Sequence, residues 1–482
     1  MRVANADDVS NYKWTVLLIT TVGAFMAPLD GSIVNIAIPS IAASIGIGLE
    51  AAIWIPLAYL LVLTVLLVNV GRLADLKGRK RFYTLGFVIF TAGSVLCSVA
   101  ATELQLVPFR AIQGAGAAFI AANSAAIVTD TFPRWERGKA LGINSMAVYV
   151  GLMAGPVIGG VLVNNYGWRS IFYVNLPIGI LVVALATFKV RETRSNERGE
   201  GFDIAGGAAL STTLAPFLIV LTLGGYLGWS SPLSIGLLAL GGLSFLIFLL
   251  IEGKYARYPT FDLGLLARNR LFATANAAAF LSYVAVTGVT LMISIYLQSV
   301  RGLDPQTAGL YLIAQSTAMA LLSPFSGWLS DRLGSRLLSS SGMFCVTLGL
   351  FLFTQVNATS SALDVVWRLV LVGIGYGLFS SPNTSAVMGS VKQEKLGVAA
   401  GTLGTMRFMG QSIGVALLGT LMATALPPTA MLQLLTGGSS QSGLVAEEFA
   451  QGMRSFFLAA AFVGAFATLT SMIRGHERAN AE

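Results

Sequence analysis

Fourteen long apolar segments, continuous rather than alternating, lie between residues 14 and 473 of this 482-residue chain. No other feature narrows the fold as much. Hydrocarbon offers no water to backbone N–H and C=O groups, so only a helix or a closed barrel can cross it, and each helix needs about 20 apolar residues. The lack of alternation removes the barrel. Composition agrees: 55% of residues are hydrophobic and 11% charged, and mean hydropathy is +0.76, whereas soluble domains carry about a quarter charged residues. The expectation is an all-α polytopic membrane protein with fourteen transmembrane helices.

Basic residues set the orientation. An even number of spans leaves both termini on one side. With that side cytoplasmic, twenty-four of the thirty Lys and Arg fall on inner segments, while Arg169, Arg301 and Arg454 lie outside and Arg110, Arg368 and Arg407 lie within spans. This is the bias of a multi-pass cell-membrane protein with cytoplasmic termini. The net charge of +8 then reads as topology and attraction to the lipid bilayer, and gives no reason to expect nucleic acid. The polar N-terminus precedes a span too long for a signal-peptide core, so no cleavage is expected. Cys97 and Cys345 sit in apolar helices and the one histidine, His476, is in the tail, so neither a disulfide framework nor a metal site is expected. No G-x-x-x-x-G-K-[ST] occurs, which argues against nucleotide coupling. No cofactor is implied, and without an intramembrane histidine or a Ser/His/Asp set the chain is not expected to be an enzyme.

The chain repeats itself. "GRLADLKGRK" at 71–80 and "GWLSDRLGSR" at 327–336 share G-x-L-[AS]-D-x-x-G-x-[KR] at an offset of 256. Gly142, Gly151 and Gly155 recur as Gly401, Gly410 and Gly414. The fourth and twelfth spans also match loosely, with an early Arg (Arg110, Arg368), G-x-G, and then Asn123 or Asn383. Eight spans separate the two loops, so the simplest parse is two six-helix bundles, 1–190 and 273–482, with a two-helix insertion and charged linkers at 191–272. No role is assigned to the Ala-, Gly- and Ser-rich loop at 424–453.

These stretches resemble the major facilitator superfamily, in its fourteen-helix drug/proton antiporter branch. "GRLADLKGRK" is similar to the inner-loop signature, "LVPFRAIQGAGAA" to the fourth-helix arginine motif, "GLMAGPVIGG" to the fifth-helix antiporter motif and "LDGSIVNIAIPSI" to the first-helix motif. "WRSIFYVNLPIG" at 168–179 also resembles the branch. The resemblance implies a major facilitator fold, a proton-coupling role for the first-helix Asp and the fourth-helix Arg, and a charge latch between halves at the inner loop.

Asp30 is the one acid placed inside any span. An ionised carboxylate in hydrocarbon costs about 2.5–3.5 kcal/mol on insertion scales, so it marks a pathway unless it serves a purely structural pair. Arg110 lies at a depth that permits contact with it, although an arginine there can also snorkel to the surface. Gln113, one turn deeper, is a candidate for the substrate cavity. So is Arg407, about ten residues into its helix, and so are Asn35, Asn123, Tyr149, Gln315, Asn383 and Gln411, each of which can alternatively serve as interhelical glue. With two arginines against one Asp, a multivalent cation is a poorer fit than a neutral, monovalent or amphipathic molecule. Gly151, Gly155 and Gly159 form a smooth stripe for close helix packing, with Pro156 adding a bend. Gly71, Asp75, Gly78, Arg79 and Asp331 are read as a conformational gate.

Together these features predict a monomeric transporter that exports small amphipathic or drug-like compounds in exchange for protons. The alternative is a symporter or facilitator for a metabolite or lipid.

Overall fold

The computed structural model describes residues 6–133, 136–192, 204–255, 263–392, 396–425 and 443–474, and among these no strand occurs. His476 and much of the loop at 424–453 lie outside the described residues. The chain runs through α1 (Ala6–Ile45), α2 (Leu49–Lys77), α3 (Arg79–Val99), α4 (Glu103–Thr131), α5 (Arg137–Tyr166), α6 (Ser170–Tyr173) and α7 (Asn175–Lys189). It continues with α8 (Ile204–Leu227), α9 (Pro232–Leu250), α10 (Leu263–Arg268) and α11 (Arg270–Ile295). The final elements are α12 (Pro305–Leu333), α13 (Ser335–Phe353), α14 (Ala362–Gly389), α15 (Leu396–Ala425) and α16 (Gly443–Met472).

Twelve helical spans are long and apolar enough to cross a membrane, counting Ser170–Lys189 as one. Helix α2, bent by 48° between Ala51–Leu67 and Asn69–Lys77, makes a thirteenth, and α8 carries a shorter apolar stretch, Ala205–Leu221. Fourteen crossings are compatible with this set. The sixth span, Ser170–Lys189, has a one-residue irregularity at Val174, whose backbone angles stay helical, just ahead of the Asn175-Leu176-Pro177 step.

Helix ends are fixed by polar groups where the chain leaves the apolar layer. Ser231, Asn269, Asp304 and Ser361 each accept the N–H three residues on, at 3.2, 3.0, 2.9 and 3.2 Å, satisfying donors that the first turn leaves free. The Thr307 hydroxyl, and then its N–H, hold the Asp304 carboxyl below the usual carboxylate range. The two repeated loops turn on Gly78 (φ +119°) and Gly334 (φ +83°), backbone angles that a side chain would strain.

Helices α1–α7 and α11–α16 pack with the same neighbours in each set. Thus α1 lies on α5 as α11 lies on α15, α2 on α4 as α12 on α14, and α3 on α4 as α13 on α14. The glycine stripe explains the first pair. A Cβ on Gly151 would fall 2.5 Å from the Phe25 carbonyl oxygen, one on Gly155 2.8 Å from Ser32 Cβ, and one on Gly159 2.6 Å from Ile36 Cγ2. In the second repeat, Gly410 and Gly414 stand in the same relation to Phe280 O (2.5 Å) and Val284 O (2.7 Å). Backbones this close leave no room for any side chain, and the gain is dispersion contact without lipid between the helices.

The two sets meet along α1–α11, α5–α12 and α2–α15. On the face away from the start of α1 the junction is tight. Gln298 donates to the Ile36 carbonyl at 2.9 Å, a Cβ on Gly160 would lie 2.5 Å from Pro305 O, and Gly309 sits against the Pro156 carbonyl. On the opposite face, Gly142 of α5 and Gly401 of α15 meet nothing within 4 Å. The α8–α9 pair rests on α2 and α15, where Asn69 donates to the Gly207 carbonyl at 3.3 Å and Thr420 to that of Leu221.

Candidate functional site

Asp30, on α1, is fully buried, and so is Arg110 on α4. Their side chains form an ion pair, Arg110 Nη1 to Asp30 Oδ2, at 2.7 Å. Two amides complete the enclosure of the carboxylate: Gln113 Nε2 and Asn175 Nδ2 each donate to Asp30 Oδ1 at 2.8 Å. Both amides also reach the Ser94 hydroxyl on α3, at 2.8 and 3.3 Å. Arg110 Nε donates to the Ile55 carbonyl at 3.2 Å, and its guanidinium lies 4.4 Å from the Tyr59 ring centroid and 5.8 Å from that of Phe172. Five helices plus the short α6 thus converge on one carboxylate. Taking both ions out of water costs several kcal/mol each, which close pairing and extra hydrogen bonds must offset. The cage is one atom short: Arg110 Nη2 is buried with no partner.

The sequence places Asp30 on a route to solvent, and in this state no such route reaches it. Gln113, expected in a substrate cavity, is instead locked into the carboxylate's cage. Ser94, Asn175 and Tyr59 were not singled out from the sequence. For Asn175 a signal existed, because the asparagine stands two residues before a proline within an otherwise apolar span.

A second polar group sits at mid-span where the two helix sets meet. Arg407 of α15 is partly exposed, with its guanidinium 5.2 Å from the Tyr283 ring centroid and beside that residue's hydroxyl. Tyr376 of α14 stacks edge-on to Tyr283 at 5.7 Å, and Tyr149 of α5 belongs to the same cluster. The Tyr149 hydroxyl bonds Ser380 Oγ of α14 at 3.0 Å, across the junction. Among the described residues no carboxylate pairs with Arg407, and its Nε is buried without a hydrogen-bond partner.

The other cavity candidates scatter. Asn123 donates to the Phe119 carbonyl of its own helix at 2.8 Å. Asn383 donates to the Ala275 carbonyl at 3.1 Å and accepts from Arg474, so both asparagine amides are spent on packing rather than on a cavity. Gln315 is buried with its Oε1 unpaired, and Asn35 and Gln411 are partly exposed. Of the gate residues, Asp75 pairs with Arg79 at 2.7 Å, and Arg79 pairs with Asp130 at 2.5 Å. These pairs join α2, α3 and α4 of one set, with Arg79 opening α3 beside the end of α4, and they do not test the expected latch between halves. Gly71 lies at ordinary contact distance from Ala122, 3.6 Å for an added Cβ, so nothing there demands glycine. The Asp331 side chain falls outside the described residues.

Residues 20–415 match the family described as the Major Facilitator Superfamily. The chain belongs to this superfamily. As such it has the family's fold of membrane-spanning helices, and its solved neighbours agree. A bacterial homolog of the human lysosomal transporter Spinster, in an inward-facing and unoccupied conformation, superposes with a TM-score of 0.68 over 97% of this chain and 96% of that one, at 17% identity. Closer in sequence are the riboflavin transporter RibZ of Clostridioides difficile, 35% identical over 86% of this chain and 89% of that protein, and the multidrug resistance protein Stp of Mycobacterium tuberculosis, 36% identical over 86% and 76%. The probable actinorhodin transporter of Streptomyces coelicolor is 32% identical over 85% and 72%. This major facilitator is therefore a multi-pass membrane transporter with multidrug efflux proteins among its relatives.

Proposed function

We propose that the protein is a proton-coupled efflux antiporter of the cell membrane. Its α1–α7 and α11–α16 bundles rock about a mid-membrane cavity, and it exports small amphipathic compounds in exchange for protons. The observation that carries the reading is the enclosed Asp30–Arg110 pair. Protonating Asp30 would remove the negative charge that balances Arg110 there, and Arg110 already has a hydrogen-bonding nitrogen to spare. The pair would then separate and the helices that hold it would repack. Each ligand drives the other only through different affinities in the two states, and a group that is sealed in one state and protonated in another supplies that difference. In this state the junction is closed at the face opposite the start of α1, which corresponds to the outside when the termini are cytoplasmic. Multidrug and antibiotic-related relatives favour export. The protein acts as a carrier with no chemical step of its own.

The riboflavin transporter among the relatives supports a second reading, a symporter or facilitator for a metabolite. Reconstitution into liposomes with a pH-sensitive dye inside separates the two. Substrate added to the side bearing the termini should drive protons toward that side under antiport. Co-movement of proton and substrate selects the symporter, and substrate flux without any proton movement selects the facilitator.

A further inference from the structure

Taking the transport reading above as its basis, we infer that the cluster formed by Arg407, Tyr149, Tyr283 and Tyr376 is the substrate's polar anchor, and that it selects planar aromatic compounds bearing an anionic oxygen group. Three observations converge. Arg407 stands in the middle of the membrane layer with no described carboxylate beside it, although a charge at that depth needs a counter-charge or water. Arg110 shows how this protein satisfies a permanently buried guanidinium: with an acid, an amide oxygen and a backbone carbonyl. Arg407 has no such set, and its partial exposure at the junction leaves the place open to a ligand.

The second observation is unspent hydrogen-bonding capacity. Arg407 Nε and the Tyr376 hydroxyl, which is nine-tenths buried, both lack partners of good geometry. A carboxylate or phenolate oxygen can accept from a guanidinium fork and a neighbouring tyrosine hydroxyl together, and such charge-assisted bonds are roughly twice as strong as neutral ones. The third is the walls. Tyr283 and Tyr376 meet edge to face at 79°, aromatic surface of the kind that pairs with an offset or edge-on aromatic ligand, and a guanidinium plane stacks on aromatic rings as well. The site also draws on both bundles, through Tyr149 on one side and Tyr283, Tyr376 and Arg407 on the other. The Tyr149–Ser380 bond that spans them is one that an occupying ligand would meet as the halves move. A cation is disfavoured at the same place by the charge of Arg407 itself.

The test is binding, measured without any pH gradient on the full chain in nanodiscs by isothermal titration, with three probes that share one ring system: 2-naphthoate, 2-naphthylmethanol and 2-naphthylmethylammonium. Naphthoate should bind about tenfold or more tighter than the alcohol, and the ammonium weakest. Arg407→Gln should erase that order. Arg407→Lys, which keeps the charge and guards against a folding defect in the first variant, should keep part of it, and Tyr376→Phe should weaken naphthoate but not the alcohol. Equal affinity of the wild-type protein for all three probes, or an anion preference surviving in Arg407→Gln, overturns the inference. Because no proton gradient enters the measurement, that failure leaves proton coupling untouched. A failure of coupling in liposomes, conversely, leaves this ranking standing.

Discussion

Arg110 and Arg368 occupy matching places in the two repeats, each early in the helix that packs against its bundle's second and third members, yet they do different things. Arg110 is fully buried and ion-paired across helices to Asp30. Arg368 keeps to its own neighbourhood. It donates to the Leu352 and Asp364 carbonyls at 3.0 and 2.6 Å, sits 4.4 Å from the Trp367 ring, and faces an Asp364 carboxylate 3.4 Å away that is 47% exposed. The cause is on the facing helix. Helix α1 carries Asp30 at the contact, whereas α11 has no acidic residue anywhere along it. With a buried counter-ion the arginine pairs across helices; without one Arg368, itself buried, is satisfied by backbone carbonyls and the half-exposed Asp364. Two nearly identical scaffolds therefore differ in chemistry by one carboxylate.

That contrast can be broken most directly at the carboxylate. Asp30→Asn keeps the shape and the amide contacts but removes the titrating group, so substrate-driven proton movement in liposomes should fall to the level of empty vesicles while the protein still inserts. Coupled transport persisting in this variant would make the pair a structural staple like Arg368. Next in size is Arg110→Gln, which leaves a buried carboxylate without its cation. A loss of about 3–5 kcal/mol is expected, read as a lowered unfolding midpoint in detergent, and Asp30→Asn added to Arg110→Gln should recover part of it. Equal midpoints for the single and double variants would show that the ion pair is not what the cage holds together. Smaller still, Asp75→Asn frees Arg79 from one of its two acids and should slow turnover roughly fivefold, the low end of conformational coupling energies, without a matching change in substrate affinity. A pure affinity change would contradict a gating role. Arg368→Gln is the sharpening control: its acid partner is 47% exposed and returns to water, while the Leu352 and Asp364 carbonyls lose a donor, so a loss of about 1–3 kcal/mol is expected, smaller than for Arg110→Gln, with transport staying near wild type. A loss as large as that of Arg110→Gln would erase the asymmetry between repeats.

Much of the site could be read ahead of the structure, for a reason particular to membranes. Charged and amide side chains are costly in hydrocarbon, so each one within a span stands out, and Asp30, Arg110, Gln113 and Arg407 were all visible on that ground. Asn123 and Asn383 were equally visible and turned out to be spent on backbone carbonyls, because the cost that makes a polar group conspicuous is relieved as well by a structural bond as by a ligand. Ser94 and Tyr59 carried no signal. A serine or tyrosine in an apolar helix is cheap, and only the packing of α3 on α4 and α7, and of α2 on α4, gives these two their place in the cage.

The sequence by itself determined the helices, their number to within the α8 ambiguity, the repeat and the glycine stripe, because hydrocarbon forces every backbone group to pair within its own segment and so makes secondary structure a local property. Tertiary structure alone decided which polar groups meet. Asp30 is bonded by three side chains from two other helices, Asp75 bonds within its own bundle, and Arg407 is left among tyrosines. Those outcomes depend on helix rotation and approach, which small-residue packing sets across distances of tens to hundreds of residues, and no local pattern encodes them.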